Sequence, residues 1–108
     1  EILSCNDFYD YDAKYILGTS GLNIPANIPK EASLEIRETA VKAFKALGCF
    51  GLSRVDFFLA DNGKVYLNEL NTMPGFTSIS MYPKLMENLG IPYGELLDRL
   101  IKLAYERN

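Results

Sequence analysis

The sequence predicts an α+β fold, with helices packed around a small, mainly antiparallel sheet. Three observations carry this. Residues 32–47 and the run after Pro92 repeat apolar side chains at helical spacing. Residues 52–60 and 65–71 read as strands on either side of Asp61-Asn62-Gly63-Lys64, and Asn-Gly between such runs is a strong hairpin signal. At 48% apolar over 108 residues, the chain has the composition of one folded unit with one core.

Taken in order, residues 1–6 read as a short strand whose partners lie elsewhere. With no initial Met, this suggests a piece of a larger protein. Residues 7–29 carry Gly18, Gly21, Pro25 and Pro29 without periodicity, and a stretch that long reads as a functional loop. From Ala32 to Leu47, Ile36, Ala40, Phe44 and Leu47 share one helical face, with Glu35, Arg37, Glu38, Lys42 and Lys45 on others, and Gly48 as a stop. After the hairpin, residues 72–82 form a loop rich in hydroxyls and turn residues. A short helix is predicted from near Pro83 to Gly90. A longer one follows Pro92, with Leu96, Leu97, Leu100, Ile101 and Ala104 aligned.

Composition excludes several function classes. A net charge of −3 does not suggest a nucleic-acid partner. No apolar run has membrane-spanning length, and no run reads as a signal peptide. Cys5 and Cys49 do not make a disulfide framework, which points to a reducing, cytoplasmic setting. With no histidine, this chain supplies neither a Ser-His nor a Cys-His pair. Proton transfer must then involve a carboxylate, Lys, Tyr, substrate or water.

The chemistry concentrates in the hairpin. With Asn62 and Gly63 as its loop, Asp61 faces Lys64, and counting outward sets Asp56 opposite Glu69 and Arg54 opposite Asn71. A four-residue loop, 61–64, gives the same register; a three-residue loop would break it. Strand side chains alternate with period 2, so Arg54, Asp56, Glu69 and Asn71 emerge together, sharing their face with Phe58, Val65 and Leu67. Val55, Phe57, Leu59, Tyr66 and Leu70 take the other face. Opposed carboxylates repel, so a positive group belongs between them. Arg54 is one candidate, and a divalent cation is the better one. Asp56, Glu69 and Asn71 offer only oxygen ligands, the set suited to magnesium or manganese with phosphate. The competing reading is a salt-bridge cluster on a solvated face.

Other candidates are single residues. Lys14 is a phosphate contact or an exposed lysine, and Tyr15 a hydroxyl donor or a loop anchor. Gly75 offers its N–H to an oxyanion, or simply serves the turn after Pro74. Thr77, Ser78 and Ser80 are hydroxyls of one loop that could bind a carboxylate together with the Met81 N–H near a helix start; Ser80 could cap that helix instead, or do both.

Taken together, F-Y-D-Y-D-A-K-Y, G-L-S-R-V-D-F-F and L-N-E-L-N-T-M-P-G-F-T-S-I-S-M-Y-P resemble the D-alanine–D-alanine ligases in order and separation, over almost the whole chain. These belong to the ATP-grasp superfamily. The resemblance implies the carboxyl-terminal half of an ATP-grasp catalytic domain, residues 1–108, with amino-terminal and lid domains as its missing partners. It implies ATP and D-alanine as substrates, two Mg2+ or Mn2+ ions, a role in peptidoglycan synthesis, and a full-length enzyme for which a homodimer is open. Asp56, Glu69 and Asn71 would hold the metals, with Glu69 bridging. Glu69, Asn71 and Lys14 would meet the nucleotide phosphates. Arg54 would lie near the transferred phosphate and the developing oxyanion, which the Gly75 N–H would also stabilise. Ser80 and the Met81 main chain would bind the second D-alanine's carboxylate, and Tyr15 would lock a loop over the site. Met81 departs from the aliphatic residue common in the family, at a position that acts through its backbone. The alternatives are a D-alanine–D-serine ligase, or less readily a D-lactate one, another ATP-grasp carboxylate–amine ligase, and a non-catalytic metal-binding interaction module.

Overall fold

The computed structural model describes residues 1–3 and 21–107. The predicted long loop therefore falls largely outside the described residues, as do Lys14, Tyr15 and Cys5. Within them the chain runs β1 (Ile2–Leu3), β2 (Gly21–Leu22), α1 (Lys30–Ala46), β3 (Arg54–Leu59), β4 (Val65–Asn71), α2 (Met81–Asn88) and α3 (Tyr93–Glu106). The α+β class holds, as helices around two antiparallel pairs. The partner of β1 is not elsewhere but within the chain: Ile2 pairs with Leu22 and Leu3 with Gly21. The Glu1 side chain secures this corner by accepting from the Asn23 amide at 2.9 Å, which holds its carboxyl below the usual carboxylate range.

Helix α1 packs on the β3–β4 hairpin and α2 packs on α3. Ala32 is the buried point of α1, with Glu31 in its first turn and Lys45 in its last, charges that suit the helix dipole. Helix α2 starts at Met81, two residues before the predicted point. Pro83 sits in its first turn, where backbone N–H groups have no intrahelical partner and proline removes nothing. Tyr82, Pro83 and Leu96 are buried between these elements, and the ring of Phe76 lies 5.9 Å from Tyr82 and 5.3 Å from Tyr93. Burial raises the Tyr82 phenol above its ordinary range.

The hairpin departs from the counted geometry in an instructive way. Its loop has three residues: the Ala60 N–H donates to Lys64 O and the Gly63 N–H to Ala60 O, both at 2.9 Å. Gly63 closes the turn at φ +85°, where a Cβ would be strained. Leu59 accordingly faces Val65 and Phe57 faces Leu67, one residue out of the predicted register. The register then shifts at Asp56/Phe57, leaving Asn68 as a β-bulge, and beyond it Asp56 faces Glu69 and Arg54 faces Asn71. The bulge cancels the loop's offset. It also reassigns faces, because an extra residue reverses side-chain parity along β4. Val65 and Leu67 join the Val55–Phe57–Leu59 face, while Tyr66 crosses to stand opposite Phe58 on the charged face. Exposure follows this at most positions: Val55, Phe57, Leu59 and Val65 are partly covered and Phe58 and Tyr66 are exposed, while Leu67 is exposed although it shares the covered face.

Candidate active site

At the open end of the hairpin, the Arg54 guanidinium lies between the two carboxylates. Its Nε donates to Asp56 Oδ1 at 2.9 Å and its Nη2 to Asp56 Oδ2 at 3.0 Å, a two-pronged pair that fixes the plane of both groups. The same Nη2 lies 3.6 Å from Glu69 Oε1, too far for a hydrogen bond but close enough to offset charge. The arginine thus supplies part of the positive charge that the sequence demanded. Counted over these three groups alone, two carboxylates against one guanidinium leave a formal negative charge.

The carboxylates are committed to different degrees. Asp56 is held by both prongs, with its side chain 32% exposed; Glu69 is 58% exposed. Asn71 Oδ1 accepts the Met73 N–H at 2.9 Å, shaping the exit from β4 and leaving the amide oxygen a second lone pair. Among the described residues, no group of three or more His, Cys, Asp or Glu side chains gathers. The donor set is therefore two carboxylates and an amide, all oxygen. This fits a hard cation that keeps some waters and shares phosphate oxygens, and does not fit zinc.

The chain leaves β4 through Pro74, which is buried, and Gly75, which is exposed. Gly75 does not have the positive φ that would require glycine for the turn alone. Its requirement is steric: a Cβ there would come within 2.8 Å of Ser80 Oγ. The Ser80 hydroxyl folds back over Gly75, where it accepts the Thr77 N–H at 2.9 Å and lies 2.8 Å from Thr77 Oγ1. Ser80 occupies the N-cap position of α2, but its side chain makes no cap hydrogen bond. Capping therefore does not explain it. Met81 is the first residue of α2, so its N–H belongs to the unpaired donors of a helix start.

Seven of the expected groups thus fall in two sets that follow one another along the chain: Arg54, Asp56, Glu69 and Asn71 on the hairpin face, and Gly75, Ser80 and Met81 on the loop that continues β4. An open recess of about 320 Å3 lies against Thr77, Ser78, Pro83, Lys84, Glu87 and Tyr93. Neither Ser80 nor Met81 lines it, so it is not assigned to the amino-acid site. Sequence reading misses Asn68, whose bulge preserves the register; it names Thr77 as a carboxylate contact, whereas the structure turns its N–H and hydroxyl to Ser80. A polar residue at position 68 in an otherwise strand-like run was the available signal for the bulge.

The fold and this oxygen-rich hairpin define the carboxyl-terminal half of an ATP-grasp domain. The family model for the D-ala D-ala ligase C-terminus matches residues 1–102, and the chain belongs to that family. It is 62% identical over 108 residues to a D-alanine–D-alanine ligase of Acetivibrio thermocellus, covering 99% of this chain and 29% of the relative. Among solved structures, it resembles a D-alanine–D-alanine ligase from Bacillus anthracis at TM-score 0.79 and 33% identity, over 97% of this chain and 34% of the other. It also resembles the VanG D-Ala:D-Ser ligase from Enterococcus faecalis at TM-score 0.75 and 47% identity, over 95% of this chain and 29% of the other. The chain spans about three tenths of the length of the curated relatives it matches.

Proposed function

We propose that the protein carrying this chain joins two D-alanines into D-alanyl-D-alanine at the expense of ATP, in the cytoplasm, as a step toward peptidoglycan. In this reading, the chain supplies the metal, phosphate and second-substrate parts of the site. The observation that carries it is the one-face cluster of Arg54, Asp56, Glu69 and Asn71, continued directly by the Gly75–Met81 loop. Support comes from the family membership and from a related ligase solved with ATP, which is 34% identical with TM-score 0.71.

Asp56, Glu69 and Asn71 would hold two magnesium ions at the ATP phosphates. Magnesium bound there neutralises the charge that builds on phosphate oxygens during transfer. Arg54, fixed in plane by Asp56, brings its positive charge to the same region. The first D-alanine's carboxylate attacks the terminal phosphate, giving an acyl phosphate and ADP. The second D-alanine's amine then attacks the acyl carbon, and phosphate leaves the tetrahedral adduct. The Gly75 N–H and Arg54 face the developing oxyanion, while Ser80 and the Met81 N–H hold the second carboxylate. Lys14 and Tyr15, outside the described residues, would contact the transferred phosphate and close the loop over the site.

Asp56→Asn and Glu69→Gln test the reading in the complete protein: each is expected to slow ATP-dependent dipeptide formation on the order of a hundred- to a thousandfold. A normal rate in either would remove the catalytic assignment. The non-catalytic module instead predicts metal binding without any effect of nucleotide. The likeness to VanG favours one second reading, D-serine as acceptor. Competition between D-alanine and D-serine decides it, and a higher kcat/KM for D-serine would replace D-alanine as the second substrate.

A further inference from the structure

The proposed site leaves unexplained why Tyr93, the first residue of α3, reaches into the Gly75–Met81 loop. Its hydroxyl donates to the Phe76 carbonyl oxygen at 2.7 Å. That carbonyl and the Thr77 N–H belong to one planar peptide and point in opposite directions. On the far side of the plane, the Thr77 N–H donates to Ser80 Oγ at 2.9 Å. Tyr93 Oη, the Phe76–Thr77 peptide and Ser80 Oγ therefore form one line of hydrogen bonds. A tilt of that peptide moves both ends of it.

We propose that Tyr93 is a positioning residue for the Ser80 hydroxyl, acting through the Phe76–Thr77 peptide, with Thr77 as the second support. The inference rests on the reading of Ser80 as a contact for the second amino acid. A serine hydroxyl has one proton to donate and two lone pairs. When Thr77 donates through both its N–H and its Oγ1, at 2.9 and 2.8 Å, both lone pairs are used. The Ser80 proton is then left for a carboxylate, and the chain of donors behind it strengthens that donation. Tyr93 sets the angle at which the first donor arrives. The ring contact of Tyr93 with Phe76, 5.3 Å between centroids, is packing that needs no hydroxyl. The hydroxyl's share is therefore separable.

Tyr93→Phe keeps the ring and removes only the donor. In the complete protein, it is expected to raise KM for the second amino acid roughly three- to tenfold, the scale of one lost hydrogen bond, leaving KM for ATP unchanged. Thr77→Val should do the same, and Thr77→Ser should restore binding. Ser80→Ala should also raise that KM, and adding Tyr93→Phe to it should bring no further change, because the group being positioned is gone. An unchanged KM in Tyr93→Phe beside a raised one in Ser80→Ala would overturn the positioning role. So would effects that multiply in the double variant. An unchanged KM in Ser80→Ala would instead overturn the reading of Ser80 itself, and the inference with it. Should Tyr93→Phe fail to fold, Thr77→Val with its serine rescue tests the other support of Ser80, the Thr77 hydroxyl, and an unchanged KM there beside a raised one in Ser80→Ala would overturn the proposed network.

Discussion

The hairpin face and the loop after it make the site in different ways. On β3 and β4, functional groups are side chains held by other side chains: a guanidinium clasping one carboxylate at 2.9 and 3.0 Å and leaning toward another at 3.6 Å. Between Pro74 and Met81, the groups are backbone N–H donors and one hydroxyl, held by main-chain geometry. The first region balances charge and the second balances hydrogen bonds. Substitutions on the hairpin should therefore act on phosphate chemistry and on kcat. Substitutions in the loop should act on the acceptor amino acid and its KM.

The largest break in that comparison is expected from Glu69→Gln and Asp56→Asn, with kcat falling on the order of a hundred- to a thousandfold. Asp56→Asn carries an added cost, since Arg54 loses the partner that fixes its plane. Arg54→Lys is a finer probe of the same region. It keeps the charge but loses the fork, so Asp56 is no longer gripped at two atoms. Its kcat is expected to fall about ten- to a hundredfold, with KM for the second amino acid unchanged. A change confined to that KM would erase the distinction between the two regions.

How much of this was legible in the sequence also differs between the regions. The pairing of Asp56 with Glu69 and Arg54 with Asn71 follows from counting outward along the hairpin, and it is present. It is present for a reason that the counting did not contain. The loop is one residue off, and Asn68 takes up the difference as a bulge. A bulge depends on which faces must be buried, a tertiary demand that alternation alone cannot express. For the same reason alternation sets Val65, Tyr66 and Leu67 each on the wrong face. In the loop, the resemblance named Gly75, Ser80 and Met81, but not how Gly75 serves Ser80. That relation is a through-space approach between residues five apart, and a one-dimensional pattern does not carry it. Lys14 and Tyr15 lie outside the described residues and rest on the resemblance alone.

Gly75→Ala tests the steric relation at intermediate size. The new Cβ would meet Ser80 Oγ at 2.8 Å, so the hydroxyl must rotate and give up both contacts with Thr77. KM for the second amino acid should rise about tenfold, as lost hydrogen bonds of this kind allow. The Gly75→Ala/Ser80→Ala double variant should be no worse than Ser80→Ala, since the Ser80 Cβ would remain 3.4 Å away, near ordinary contact. A kcat loss surviving in the double variant would mean that the substitution also displaces the Gly75 N–H proposed to meet the oxyanion.

Gly63→Ala should show the smallest effect and locate the boundary of the site. Gly63 is exposed and has open space around its Cβ position, so nothing clashes. Its φ of +85° alone penalises a side chain, by roughly 1 kcal/mol. That loss should appear as a lower denaturation midpoint in urea at unchanged slope. The kinetic constants should stay at their wild-type values, because the Asn68 bulge lies between the turn and the Asp56–Glu69 pair and sets the register independently of it. If KM for ATP or kcat moved with the turn, the register at Asp56 would have to be set by the loop. The bulge would then be a consequence of the turn's geometry, and the hairpin face would share the loop region's dependence on backbone shape.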